Sequence, residues 1–423
     1  MKVLLINTYS FGGAAAACIR LHEGLLRSGV DSNLLFMNFS SNRVIENIQV
    51  YKPQPKRNSI VNRVLNKLDR LTEIGRARYD RKIKEQIKKL IPDIIEWFSF
   101  PDSGMDISTH PLFRGADIIN IHWIADFIDF SFLKNNTKPI VWTLHDMNAF
   151  TGGCHYSGDC NKYLSGCTVC PQLLDCDDNT FAGRNFKIKI ESMRFVNGLH
   201  IVAPSKWLED LSKTSLLLEK FPHYHIPNGI DHDIFQPEEQ TSARQKLNLP
   251  VGRKIFLFIA DDLKTKRKRY NLLKTAFEKL ASDDVVLCSV GRSGTGTIDN
   301  PNVIELGVVQ TEKEMNLVYS AADLFIIPSL EDNLPNTVIE ALLCGIPVAG
   351  FPIGGITDMI TDGVNGYLAS KVGIDELVLI LRKYLNGKHI FNKEKIRNNA
   401  ILKYGIAVQV NAYKKLYVKV LSQ

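Results

Sequence analysis

The sequence predicts an α/β protein of two parallel-sheet domains facing each other across a cleft. Three observations predict it. At 423 residues the chain exceeds what one core supports, and two domains of about 200 residues each are expected. Short apolar runs alternate with helix-length segments from end to end, without the turn signals of β-hairpins. The rhythm also restarts once, after the turn-rich Ile226-Pro227-Asn228-Gly229-Ile230-Asp231.

The elements follow in order. Val3–Asn7 is a continuous apolar run, read as a buried first strand. It leads into Gly12-Gly13 and a helix from about Ala14 to Ser28. Asn33–Met37, Asp117–His122, Pro139–His145 and Gly198–Ala203 are the next strands. Beyond the restart, Lys254–Ala260, Val285–Val290, Val303–Leu306, Leu324–Pro328 and Pro347–Phe351 read as strands with helices between them. A last helix is expected near Ile401–Val420. In such sheets ligands bind beyond the carboxyl ends of the strands, so both domains are expected to contribute from those ends.

Composition narrows the classes. Hydrophobic residues at 45% and charged residues at 23% exclude disordered and fibrous chains. No run approaches the roughly 18 apolar residues of a membrane span. The opening Lys2-Val3-Leu4-Leu5-Ile6 is too short for a signal peptide and runs into Gly12-Gly13 rather than a cleavage site, so a cytoplasmic protein is expected. The net charge of +7 is concentrated between Lys52 and Lys89, where only Asp69, Glu73, Asp80 and Glu85 oppose the basic residues. Ile60, Val64, Leu68 and Leu71 recur there at helical spacing, giving an amphipathic basic helix. Such a face attracts anionic headgroups at a membrane surface, or is simply solvated. No nucleic-acid-binding module accompanies it.

The strongest chemical signal is Pro328-Ser329-Leu330-Glu331-Asp332-Asn333-Leu334-Pro335-Asn336-Thr337-Val338-Ile339-Glu340-Ala341. A strand ends, a polar loop follows, and a helix begins near Pro335, proline being suited to a first helical position. The helix start presents unpaired N–H groups and the positive dipole end, which suits a diphosphate. Glu340 lies about one and a half turns inside the helix. There a carboxylate can accept both hydroxyls of a ribose.

Asp332 to Glu340 resembles the acidic-x7-acidic motif of retaining glycosyltransferases of family 4, the two-Rossmann-domain (GT-B) class that includes bacterial cell-surface polysaccharide transferases. The segments Ala341–Ala349, Gly354-Gly355, Ile226–Asp231 and Asp362–Tyr367 resemble the same family. The resemblance implies a GT-B fold of two Rossmann-like domains. Residues 1–226 would form the acceptor-side domain, with the basic helical insert at about 52–90 and a Cys-rich loop at 154–176. Residues 227–423 would form the nucleotide-sugar-binding domain, with the last helix either continuing it or crossing back to the first. It implies a nucleotide-diphosphate sugar donor, and a saccharide or lipid-linked acceptor of capsule, exopolysaccharide or lipopolysaccharide synthesis. Position 332 holds Asp where the family has Glu, which leaves Glu331 as a stand-in.

The resemblance also implies roles. Lys268, within Lys264–Lys268, matches the lysine that contacts the leaving diphosphate. The companion arginine falls on Asp262, so Arg267 or Lys266 would substitute. His145 matches an active-site histidine, and His122, ending the preceding strand in the same way, is a weaker acceptor candidate. Asn333, Leu334, Pro335 and Asn336 line the donor beside Gly12 and Gly13, where a backbone without side chains lets a ligand approach. Cys154, Cys160, Cys167 and Cys170 have the residue type and, in the closing C-x2-C, the spacing of a structural zinc site; an iron–sulfur cluster or free thiols fit the spacing too. No catalytic metal is expected. Asp231-His232-Asp233 and Asp175-Cys176-Asp177 are short enough to arise by chance and are rejected as metal sites. Two alternatives share the scaffold: a sugar-nucleotide epimerase, and a noncatalytic polysaccharide- or lipid-binding relative.

Overall fold

The computed structural model describes residues 1–40, 44–52, 79–90, 97–292, 300–387 and 390–423. Most of the predicted basic insert lies outside the described residues; its final stretch, 79–90, is helical.

The described strands form two sheets. The first comprises β1 (Lys2–Tyr9), β2 (Asp31–Asn38), β3 (Ile48–Val50), β4 (Ile118–Ile121), β5 (Ile140–Thr143), β6 (Leu199–Ala203) and β7 (His223–His225), in the spatial order β3-β2-β1-β4-β5-β6-β7. The second comprises β8 (Lys254–Asp262), β9 (Val285–Arg292), β10 (Val303–Glu305), β11 (Leu324–Ile327), β12 (Val348–Gly350) and β13 (Gly366–Leu368), in the order β10-β9-β8-β11-β12-β13. β1 pairs parallel with β4 (Val3↔Ile118), β4 with β5 (Ile119↔Ile140), and β8 with both β9 (Lys254↔Val285) and β11 (Leu324↔Phe256). In each sheet the chain reverses its direction of growth once, beside β1 in the first and beside β8 in the second. Those reversals are the switch points where open α/β sheets bind ligands.

Continuous apolar runs become strands here because both faces are covered. Along β8, Ile255, Leu257 and Ile259 enter one core with the helices Glu312–Ala321, Asn336–Leu343 and Lys393–Tyr404. The intervening Phe256, Phe258 and Ala260 enter the other core, with Tyr270–Leu280 and Ile374–Leu385. Three strands had no sequence signal: β3, β7 and β13 are three residues each, too short to show a period.

The expected last helix is two. Lys393–Tyr404 and Ile406–Leu421 break at Gly405. Ile230 N donates to Tyr404 O at 2.9 Å and Ile406 N to Ile230 O at 3.0 Å, so the backbone groups around the break pair with the turn-rich segment instead of continuing a helix. Proline 335 also differs from expectation. It caps the helix from outside, and Asn336 is the first helical residue.

The residues gather in two compact units: Met1–Ser10, Asn33–Ile201 and Leu211–Pro222 in one, and Phe11–Ser32, Val202–Asp210 and His223–Gln423 in the other. The second unit thus includes the helix Gly13–Arg27, which packs on Ile406–Leu421. A Cβ at Gly24 would stand 2.6 Å from a methyl of Val410, so glycine is what allows this approach.

The second unit also holds a buried ion pair. Arg244 Nη2 donates to Asp323 Oδ2 at 2.6 Å, the same oxygen accepts from Ile255 N at 2.7 Å, and Arg244 further bonds the carbonyls of Ala321, Val251 and Arg253. Removing one partner of such a pair strands the other charge. Asp323→Ala is expected to cost about 3–5 kcal/mol, read as a lower melting temperature, and Asp323→Asn is expected to cost less because it keeps the shape and an acceptor.

Candidate active site

At the switch point of the second sheet, the loop after β8 meets the loop after β11. Lys268 Nζ donates to Asp332 Oδ2 at 2.6 Å, and Arg267 Nη1 stands 3.4 Å from the same oxygen while donating to Glu331 O at 2.6 Å. Burial of Asp332 works against ionisation, but Lys268 and Arg267 outweigh it and hold its carboxyl below the usual carboxylate range. The predicted Lys268, Arg267 and Asp332 are therefore one cluster. At Asp262, the position expected to lack an arginine, Oδ1 accepts from Lys264 N at 2.8 Å and shapes the basic turn.

Two glycines let this loop fold tightly. A Cβ at Gly355 would lie 1.6 Å from Asn333 O, and one at Gly354, whose φ is +52°, 2.3 Å from Asp332 O. Asn333 accepts from Ser205 Oγ at 2.5 Å. The side chain of Leu334 lies in the hydrophobic core rather than in an open site. Asn336 reaches outward in two directions: its Oδ1 accepts from Asn228 Nδ2, and its Nδ2 donates to Gly13 O, both at 3.0 Å. Neither the helix Gly13–Arg27, preceded by Gly12 at φ +85°, nor the helix Asn336–Leu343 has a side-chain cap. Asn336 thus joins two helix N-termini whose first amides no side chain caps, an arrangement suited to an anion.

Glu340 is buried, and its carboxylate is already engaged. Oε1 accepts from Arg20 Nη2 at 2.8 Å and Oε2 from the hydroxyl of Tyr319 at 2.8 Å. Arg20 also reaches Glu312 Oε1 through Nε at 2.9 Å. Sequence reading assigned no role to Arg20, Glu312, Tyr319, Ser205 or Asn228; of these only Asn228 lies in a segment the sequence singled out, the turn-rich Ile226–Asp231.

In the first unit, His122 and His145 follow the adjacent strands β4 and β5. Their rings stack at 25° with centroids 5.1 Å apart, and His122 Nδ1 lies 2.9 Å from His145 Nε2. Burial pulls His145 down to about 4, with Asp146 opposing, and carries His122 well below its ordinary value, with His145 adding to the effect. Both rings are neutral at pH 7. Both line a small cavity with Trp123, Trp142, Asp146 and Asn148. Asp146 Oδ2 is bonded to His155 Nδ1 at 2.6 Å and accepts from Trp123 Nε1 at 2.7 Å, while His155 Nε2 lies 2.8 Å from Ser99 Oγ.

His155 belongs to the Cys-rich loop. Burial raises the thiol pKa of Cys154, Cys167 and Cys170, pushing Cys167 up to about 11, and nearby cysteines of the set, Cys160 among them, add to the effect. Among the described residues, no three His, Cys, Asp or Glu side chains are already arranged to hold a metal ion. The described end of the basic segment is held by ion pairs: Lys82 with Asp177, just past this loop, at 2.7 Å, and Lys84 with Asp102 at 2.6 Å. No helix among the described residues is long and apolar enough to cross a membrane.

Residues 253–386 match the family model described as Glycosyl transferases group 1. The D-inositol 3-phosphate glycosyltransferase of Mycolicibacterium smegmatis is 31% identical over 265 residues, covering 60% of this chain and 56% of that protein. The chain therefore spans little more than half the length of this relative. Two solved structures share the fold. Sucrose-phosphate synthase from Thermosynechococcus elongatus superposes with a TM-score of 0.69 at 16% identity, over 100% of this chain and 99% of the other. HepE from Anabaena, in complex with UDP and glucose, gives 0.65 at 17%, over 98% and 99%. The fold is thus the GT-B pair of Rossmann-like domains. Lys268, Asp332 and Glu340 all lie within the matched segment.

The histidine pair sets a pH dependence. An unfolded histidine titrates near ~6.5, whereas His145 does so at about 4. Between those values the unfolded chain binds more protons, so stability is lost as pH falls through that window. Thermal melts from pH 7 to pH 4 are expected to show a falling melting temperature, with a shallower fall in His145→Gln.

Proposed function

We propose that this chain is a retaining glycosyltransferase that moves a sugar from a nucleotide-diphosphate sugar to a saccharide or lipid-linked acceptor, in capsule, exopolysaccharide or lipopolysaccharide synthesis. The observation that carries the reading is the meeting of Lys268 and Arg267 with Asp332, followed directly by the uncapped helix Asn336–Leu343. A leaving nucleoside diphosphate needs fixed positive charge and open amides, and this switch point offers both. The matched family model and the UDP bound by HepE point the same way.

In this reading Lys268 and the amides after Pro335 hold the diphosphate, and Asp332 orients Lys268. Glu340 takes the ribose hydroxyls. His145, by its match to the family histidine, is assigned to the transferred sugar; neutral at pH 7, it can donate or accept a hydrogen bond there. Attack proceeds on the face the diphosphate leaves, whose oxygen takes the proton from the acceptor hydroxyl, and no divalent ion takes part. The basic segment brings the protein to an anionic membrane surface on the cytoplasmic side.

Lys268→Ala is expected to lower kcat by about 10²–10³, with a smaller change in KM, and chelator-treated wild type is expected to keep its activity. A kcat that Lys268→Ala leaves intact, or turnover that returns only with added magnesium or manganese, would retire the mechanism. Incubation with donor alone separates the epimerase alternative, which would turn over without acceptor.

A structural zinc on Cys154, Cys160, Cys167 and Cys170 belongs to the same proposal. What supports it is the C-x2-C spacing and the mutual proximity of the four thiols; the ion would draw them inward and neutralise their repulsion. Metal analysis of the purified protein is expected to give about one zinc per chain, lost in Cys167→Ser with Cys170→Ser. Folded protein free of zinc ends this part of the reading.

A further inference from the structure

Arg20 stands apart from every sequence motif, yet it is the most completely buried arginine beside the candidate site, with a side chain only 9% exposed. It lies in the second unit on the helix Gly13–Arg27, two turns beyond the uncapped start at Gly13. Its guanidinium bridges two carboxylates, Glu312 and Glu340, both at 2.8 Å from Nη2, and it packs 5.4 Å from the ring centre of Phe235. Nη1 is buried without a hydrogen-bond partner.

The geometry of Glu340 explains what such an arginine does. A carboxylate accepts at about four lone-pair sites. Arg20 takes one on Oε1 and Tyr319 takes one on Oε2, so each oxygen keeps one free. Two free sites on a carboxylate anchored through both oxygens match the two vicinal hydroxyls of a ribose. Glu340 is buried at 7% exposure, and without a cation it would be costly to keep ionised there. Burial alone would weaken the charge of Arg20 as well, but Glu340 and Glu312 together more than restore it. The unpaired Nη1, an NH2 group, is then the nitrogen of this fork left for an incoming ligand oxygen, and a buried donor left unsatisfied is unfavourable until one arrives.

We propose that Arg20 is the positioning residue for nucleotide recognition: it holds the Glu340 carboxylate aimed at the ribose hydroxyls, and it completes its own hydrogen bonds through Nη1 when the nucleotide binds. This rests on the reading of Glu340 given under the proposed function. The helix that follows β1 then acts on the nucleotide through Glu340, an effect distinct from the open amides at its start. Lysine cannot replace Arg20, because one ammonium does not span Glu312, Glu340 and a ligand with a planar fork.

The test is ribose discrimination measured on the full chain. Calorimetry with UDP, GDP and ADP selects the nucleotide that binds, and its 2′-deoxy counterpart is then titrated into wild type, Arg20→Lys and Arg20→Gln. Wild type is expected to prefer the ribonucleotide by about 10-fold or more, the scale at which sites built for a hydroxyl reject its absence. Arg20→Gln is expected to bind the ribonucleotide about 10–100-fold more weakly, as when a supporting hydrogen-bond partner is lost, with the preference collapsing towards one. Arg20→Lys should fall between. Should Arg20→Gln fail to fold, Arg20→Lys carries the same test, and a wild-type ratio in whichever variant folds overturns the proposal. A wild type that binds both nucleotides equally removes the ribose role of Glu340 and this inference with it. Discrimination retained in both wild type and variant removes Arg20 alone.

Discussion

Asp332 is a carboxylate held out of water, and the candidate site is organised around giving it company. An isolated charge at 6% exposure is unfavourable enough that the chain must bring cations to it. It does so by joining the loops that follow two neighbouring strands, β8 supplying Lys268 and Arg267 and β11 supplying Asp332 itself. Everything nearby conforms to that junction. Gly354 and Gly355 press so closely on residues 332 and 333 that any side chain would collide with their carbonyls. The next helix is left without a side-chain cap, its cap position being Pro335, whose ring offers no acceptor.

The second unit repeats this principle one turn deeper. Glu340 is held by Arg20 and Tyr319, and Arg20 in turn by Glu312, so the charges are buried as a chain of partners rather than as a single pair. The first unit uses neutral groups instead. His122 and His145 share a hydrogen bond that two uncharged imidazoles can form, and burial keeps them uncharged. Beside them Asp146 is fixed from two sides, by the indole of Trp123 and by His155, and Ser99 fixes His155. Because His155 directly follows Cys154, the Cys-rich loop is tied by hydrogen bonds to the end of β5.

What could be read in advance was what repeats or runs consecutively. Parallel strands buried on both faces appear as unbroken apolar runs, so the strands β8, β9 and β11 were legible to within two residues. β3, β7 and β13 were not, because three residues carry no period and edge strands need little apolar surface. The split of the final helix at Gly405 was missed for a different reason. One glycine in a helical pattern is tolerated, and only the pairing of Ile230 with the backbone on either side of it ends the helix there.

By itself the sequence determined two runs of strand–helix alternation and a run of acidic, asparagine and proline residues opening a helix. Burial of the strands and the helix start are local properties, set by residues within a few positions of one another. The tertiary structure alone decided which distant groups meet. Arg20 reaches Glu340 across 320 positions and Ser205 reaches Asn333 across 128. Such pairs leave no trace in spacing, because the geometry that joins them is made by the packing of sheets and helices and not by the order of the chain.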